Sequence, residues 1–381
     1  MSLNIQSSID TSLSERIFHA ISDSGCGSIS FADYMRHCLY DPYYGYYAST
    51  ARGQIGRDGD FYTSVSVGAG FGFFLGLAAE RRWQEGFAGA NPFWVIEQGA
   101  HDGQLALDFL AGLQERESPM LDAIRYTIFE PVLARAEALT VRLAAEPMGG
   151  SISVVSELSA TPASVGLFLC NELLDAFPVH RLCWEKGEWR ELRVAADAVE
   201  GVSKFRWKTE SLIAGSEIAD AAAQISSQNL PEGYQTEVCL ELGSWMSDAT
   251  RWFDRGFWWV IDYGREADDY HAPERHEGTL RGYRQHQRQD DPFVAPGETD
   301  LTADVNFTDL DRVATQLGLS RTEYTDQHHF LIRAAEPWLK AIENGGADAL
   351  AVSRKRLRQF QTLTHPSLMG RAFKVAEYRR G

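Results

Sequence analysis

Glu97-Gln-Gly-Ala-His-Asp-Gly103 follows directly on a short apolar run, Phe93-Trp-Val-Ile96. Such a turn at the end of a strand suits ligand binding. Its glycines let main chain approach a ligand, and the helix behind it offers free N–H groups. The dinucleotide form of the turn is Gly-x-Gly-x-x-Gly, with an acid about 20 residues on. Gly99 and Gly103 do not fit that form, and the candidate acid, Glu130, comes too late. Glu130 ends a second apolar run, Tyr126-Thr-Ile-Phe129, where a carboxylate can accept from both hydroxyls of a ribose. Ahead of Pro131 it can equally be the acid of a helix N-terminus. Asn171-Glu-Leu-Leu-Asp175 ends another run, Gly166–Cys170. Two acids and an amide there could hold a cationic substrate and orient its nitrogen lone pair; the alternative is a capped helix start. Asp262-Tyr-Gly264 closes a further run, Phe257–Ile261. The histidines form no metal-ligand spacing, and no Gly-x-Ser-x-Gly elbow occurs.

These groups need a frame that brings strand ends together. The runs at 93–96, 126–129, 166–170 and 257–261, with a weaker one at 152–155, are continuous rather than alternating, as expected of strands covered on both faces. Gln104–Leu113 and other stretches between them read as helices. Strands alternating with helices predict a parallel sheet flanked by helices, and ligands sit at the carboxyl edge of such sheets. Before the first strand, 12–40 and Gly68–Gly86 read as helical, with an aromatic turn at 41–47 and a glycine-punctuated loop at 53–63. Alternation in Trp189-Arg-Glu-Leu-Arg-Val194 predicts antiparallel hairpins over 181–207. Residues 265–308 are polar with weak periodicity, which predicts a lid or binding loop.

Composition narrows the classes. With 44 % hydrophobic and 23 % charged residues the 381-residue chain can bury a sizeable core. Its net charge of −17 argues against general nucleic-acid binding. The last 31 residues reverse the sign, with eight Lys/Arg against Glu377 alone, and read as a solvated helix face over an acidic body. Five scattered cysteines without a Cys-x-x-Cys predict reduced thiols. No stretch reaches the roughly 18 apolar residues of a membrane span. The opening residues read as neither a secretory signal nor an Arg-rich transit peptide, so the expected location is cytoplasmic.

Taken in order, the blocks resemble the MidA-like family of class I methyltransferases, whose relatives include a mitochondrial complex I assembly factor that methylates arginine. The resemblance runs through 29–35, 39–47, 55–61 with Thr63, 71–72, 97–105, 171–179, 261–264, 278–283 with His286, 296–297, 300–303 with Phe307, 369–370 and 373–374. It implies a doubly wound, seven-stranded α/β sheet that binds S-adenosyl-L-methionine. One position departs from the family pattern: His101 stands where the first motif usually carries its middle glycine. If that position needs a positive φ, a side chain there costs about 1–2 kcal/mol.

The resemblance divides the chain into an N-terminal helical and loop extension (1–90), a core (91–335) and a C-terminal basic helical segment (336–381). The core carries a hairpin and helical insertion at 181–255 and the lid-like loop at 265–308. Expected around the cofactor are Asp60, Thr63, Glu97, Gly99, His101, Gly103, Glu130 and Asn171. Expected to face the methyl acceptor are Glu172, Asp175, Asp262 and Tyr263, and no metal is expected. The expected partner is a protein substrate methylated on nitrogen, such as at arginine, with no nucleic acid, no membrane and the oligomeric state open. The competing readings are a non-catalytic assembly protein on a methyltransferase scaffold and, less suited to the turn, a nicotinamide dehydrogenase.

Overall fold

The computed structural model describes residues 12–48, 63–158, 163–199, 202–285 and 287–381. They fall into two compact units that interleave along the sequence. One gathers the described residues of 1–61, Asp175–Glu241 and Glu266–Asp304; the other gathers those of 62–174, Leu242–Arg265 and Val305–Gly381.

The second unit is built on one central sheet. Its strands are β1 (Phe93–Gln98), β2 (Ile124–Phe129), β3 (Ile152–Val155), β4 (Ala163–Asn171), β5 (Phe253–Arg265), β6 (Ser320–Asp326) and β7 (Phe373–Arg380). Their spatial order is β3-β2-β1-β4-β5-β7-β6. β1 to β5 run parallel, and β7 is antiparallel to both of its neighbours. The short strand Val305–Asn306 adds an eighth, pairing parallel with β5 off this path; the seven-strand path is the doubly wound sheet that the resemblance implies. The apolar runs have their cause in two-faced burial. In β5, Phe257, Trp259 and Ile261 join a core shared with helices Gly70–Phe87, Gln104–Glu115 and Leu133–Ala144. Trp258 and Val260, also fully buried, alternate with them along the strand and stand outside that core. The segment Gln327–Thr364 folds back on itself at Gly346, whose φ of 67° and ψ of −150° suit glycine alone. Gln327 Nε2 then donates to the Leu363 carbonyl at 3.0 Å.

The C-terminal basic segment differs from expectation at its end. Residues 373–380 form an inner strand of the sheet, with Phe373, Val375, Ala376 and Tyr378 buried. Arg356 pairs with Glu115 and lies over the Phe73 ring, as a basic face on an acidic body would.

The first unit holds helices Leu13–Asp23 and Phe31–Tyr40 and a four-stranded antiparallel sheet. A capping box between Ser12 and Glu15 starts the first helix. The strands His180–Glu185, Glu188–Val199 and Val202–Ser211 are the hairpins read from sequence, and Gln235–Val238 completes the sheet. Residues 265–308 are more ordered than a polar loop. They contain strands Arg281–Arg284, Gln287–Gln289 and Asp300–Thr302, and Thr279, Asp300, Leu301, Ala303 and Asp304 are buried. Their polarity is satisfied internally. Glu237 accepts from both the N–H and the hydroxyl of Thr279, at 2.7 and 3.0 Å, and Arg281 pairs with Asp304 at 3.0 Å.

Candidate active site at the carboxyl edge of the sheet

β1 is hydrogen-bonded to β2 on one side and β4 on the other, so the chain's winding reverses at β1/β4. That is where open α/β sheets present a crevice. Glu97, one residue from the end of β1, lies in register with Ile128 of β2 and Leu169 of β4. It is 2 % exposed and accepts a 2.8 Å hydrogen bond from the Tyr126 hydroxyl. Burial pushes its carboxyl up to about 7 in spite of that bond.

The turn that follows is left-handed at three positions: Gly99 (φ 81°), His101 (φ 49°) and Gly103 (φ 77°). Glycine has a packing reason at both ends. A Cβ on Gly99 would sit 3.1 Å from Leu173, and one on Gly103 would sit 2.9 Å from Leu143. His101 therefore does stand at a positive-φ position, as anticipated. Its side chain is 41 % exposed, with Nδ1 3.8 Å from Asp102 Oδ1. Asp102 accepts from the Gln104 N–H at 3.0 Å and pairs with Arg142 at 3.0 Å, which anchors the start of helix Gln104–Glu115.

Glu130, just past β2, puts one oxygen to local use. Oε1 accepts from the Val132 N–H at 2.9 Å and from Arg135 at 3.0 and 3.2 Å. Oε2 takes no hydrogen bond among the described residues. On the far side of β1, Asn171 ends β4 and Glu172 follows at φ 51°. Glu172 Oε1 accepts from Asn171 Nδ2 at 3.0 Å and from the Ser64 N–H at 3.2 Å. Thr63, whose hydroxyl accepts from the Ser66 N–H at 3.1 Å, shapes the turn that delivers Ser64 there.

Asp262 is completely buried. Its carboxylate accepts from the N–H groups of Leu173, Leu174 and Tyr263 at 3.1, 2.8 and 2.8 Å. It positions the turn behind Glu172. The Tyr263 ring packs on Phe373, with centroids 4.0 Å apart. Asp175 belongs to the other unit, where its carbonyl accepts from the Ala303 N–H at 2.8 Å. Burial first, then the charge of Asp304, holds its carboxyl well above the ordinary range. Asp60 lies outside the described residues. Sequence reasoning missed Tyr126, Ser64 and Arg135, since nothing in their spacing marks them as partners of the acids.

Residues 74–325 match the model of a family described as "Putative S-adenosyl-L-methionine-dependent methyltransferase". The chain belongs to this methyltransferase family. Over 91 % of its length it is 28 % identical to the Drosophila melanogaster protein named protein arginine methyltransferase NDUFAF7 homolog, mitochondrial, covering 80 % of that relative. The human protein arginine methyltransferase NDUFAF7, mitochondrial, is 26 % identical over 91 % of the chain and 79 % of its own length. A Burkholderia thailandensis protein crystallised with S-adenosyl-homocysteine superposes with a TM-score of 0.80 at 26 % identity, covering 97 % of this chain and 92 % of that one.

The methyltransferase thus takes S-adenosyl-L-methionine as its methyl donor, and the non-catalytic and dehydrogenase readings fall away. The expectation of a cytoplasmic protein is also overturned, because the Drosophila and human relatives are mitochondrial. Reduced cysteines and an ordinary globular composition do not discriminate between the cytoplasm and a mitochondrial compartment. None of the described helices is long and apolar enough to cross a membrane. The residues at the edge of the sheet fit the donor. The left-handed turn exposes main chain at β1, and Glu130 keeps an oxygen at β2.

Proposed function

We propose that the methyltransferase modifies a nitrogen on protein, with the arginine guanidinium as its acceptor. The observation that carries this reading is the likeness, along nine-tenths of the chain, to relatives that are protein arginine methyltransferases. When bound, the cofactor supplies an electrophilic methyl group on a sulfonium. The chain's own residues then have three tasks. Glu97, Gly99, His101, Gly103 and Glu130 hold the donor from the β1 and β2 side, and Thr63 shapes the turn that brings the Ser64 N–H to Glu172. Glu172 and Tyr263 orient the acceptor for in-line attack, where positioning supplies most of the rate enhancement. A carboxylate suits a guanidinium because it takes two N–H bonds at once. Glu172 takes the proton that the attacking nitrogen releases on methylation. The test is transfer of a labelled methyl group into a lysate of the source cell, followed by acid hydrolysis and amino-acid analysis. Label recovered in N-methylated arginine is the expected result; label confined to lysine or to base-labile esters overturns the arginine assignment.

A further inference from the structure

Asn171 is 9 % exposed, and its two polar atoms are treated unequally. Nδ2 donates to Glu172 Oε1 at 3.0 Å, which fixes the orientation of the amide. Oδ1 is buried and takes no hydrogen bond from any described residue. The donors nearest in sequence are engaged elsewhere. The Glu172 N–H goes to the Ile261 carbonyl at 2.9 Å, and those of Leu173 and Leu174 go to Asp262. A buried carbonyl oxygen without a donor is rare and destabilising in a folded protein, and it is the natural complement of a ligand's N–H.

Its place in the sheet says which ligand. Glu97, Gly99, Gly103 and Glu130 lie on β1, its turn and the end of β2, whereas Asn171 and Glu172 end β4, on the other side of β1. With the donor occupying β1 and β2, the β4 end is left for the methyl acceptor. There a neutral amide oxygen stands beside a carboxylate, and Glu172 holds a left-handed backbone of the kind that concentrates at functional sites. Two adjoining hydrogen-bond acceptors with a single negative charge match a planar cation that has N–H groups on more than one nitrogen.

We propose that Asn171 is a substrate-contacting residue whose Oδ1 accepts an N–H of the guanidinium and turns the attacking nitrogen toward the methyl group. The inference rests on the arginine reading above, and it moves Asn171 from the cofactor side to the acceptor side. The full chain is compared with Asn171→Leu, which removes the acceptor at similar volume, and Asn171→Thr, which restores a hydroxyl. Each is titrated calorimetrically with S-adenosyl-homocysteine and then, at saturation, with methylguanidinium. S-adenosyl-homocysteine affinity stays within about threefold throughout, while methylguanidinium affinity falls about tenfold in Asn171→Leu and partly recovers in Asn171→Thr.

Equal methylguanidinium affinity in wild type and Asn171→Leu overturns the contact. So does a parallel loss of S-adenosyl-homocysteine affinity, which would place Oδ1 on the cofactor's ammonium. A wild type that refuses methylguanidinium at tens of millimolar overturns it as well, unless methylammonium is taken instead and lost in Asn171→Leu. In that case the contact stands and the arginine reading fails. Should Asn171→Leu not fold, the ratio of the two affinities in Asn171→Thr decides by the same criteria.

Discussion

His101 sits at φ 49° between two glycines that are also left-handed, and it is the one of the three with a side chain. A left-handed L residue costs about 1–2 kcal/mol, and the half-exposed interaction of the imidazole with Asp102 offsets only part of it. Glycine would remove the strain but widen the unfolded ensemble, which offsets part of the gain. His101→Gly is therefore expected to raise stability by about 0.5–1 kcal/mol in a urea melt, with an unchanged slope. A lower midpoint would show that the imidazole makes contacts worth more than the strain. The same residue marks what could be read from sequence at this scale. The acids and glycines were legible because each follows directly on an apolar run, so the topology alone carries them to one edge. Tyr126 and Ser64 were not, because their part depends on which side chain meets which across the fold. Asp262 was legible as an acid at a strand end, but its surroundings were not. Only the structure reveals that its carboxylate is enclosed by three backbone amides.

At the scale of elements, β7 carries the clearest consequence. It lies between β5 and β6 and is antiparallel to both, so the sheet cannot reach β6 without it. Glu377, inside this strand, is buried and accepts from Trp259 Nε1 at 2.8 Å and from Arg82 at 2.7 Å. Removing residues 373–381 would strip a buried face from the core and leave both neighbours with unpaired edges. The loss exceeds the roughly 5–15 kcal/mol by which domains are stable. The truncated chain is expected to show no cooperative thermal transition by circular dichroism; a transition near the wild-type midpoint would refute the structural role of β7. This strand escaped the sequence reading because Lys374, Glu377, Arg379 and Arg380 interrupt its apolar residues, which leaves no continuous apolar run. Residues 265–304 were obscured for a related reason. Hydropathy scores Glu237, Thr279, Arg281 and Asp304 as solvated, whereas they satisfy one another inside the unit. The strands that were legible, β1, β2, β4 and β5, are those whose two buried faces leave an unbroken apolar run.

The whole molecule carries a net charge of −17 and, within it, carboxyls that burial has lifted. Glu97 is raised from the ordinary 4.5 to about 7 by burial, and Asp108, buried beside Gln104, from 3.8 to about 6. An acid whose folded value exceeds its unfolded one holds its proton more tightly when folded. Stability then falls as pH rises through the window from the unfolded value to the folded one, here from about 4 to about 7. Asp102 runs the other way. Burial alone would raise it, but hydrogen bonds from His101 and the Gln104 N–H, with Arg142 alongside, hold it below the ordinary 3.8. Its contribution is present above that value and is lost only in stronger acid, so it leaves the window from 4 to 7 untouched. Repulsion among the excess carboxylates has the same sign as the buried acids, because it too grows as they ionise. The protein is therefore expected to be more stable at about pH 5.5 than at about pH 7.5, by a few kcal/mol in urea melts. Salt separates the two causes. At about 0.5 M the screening length is only a few ångströms, so repulsion between surface charges is largely removed while the cost of ionising Glu97 in the interior persists. Glu97→Gln keeps an acceptor for the Tyr126 hydroxyl and takes away the titration. In high salt it should be the more stable form at pH 7.5 and show a visibly flatter pH profile than the wild type. If instead the wild-type slope vanishes in salt and Glu97→Gln changes nothing, surface repulsion accounts for the whole effect and Glu97 does not ionise in this range.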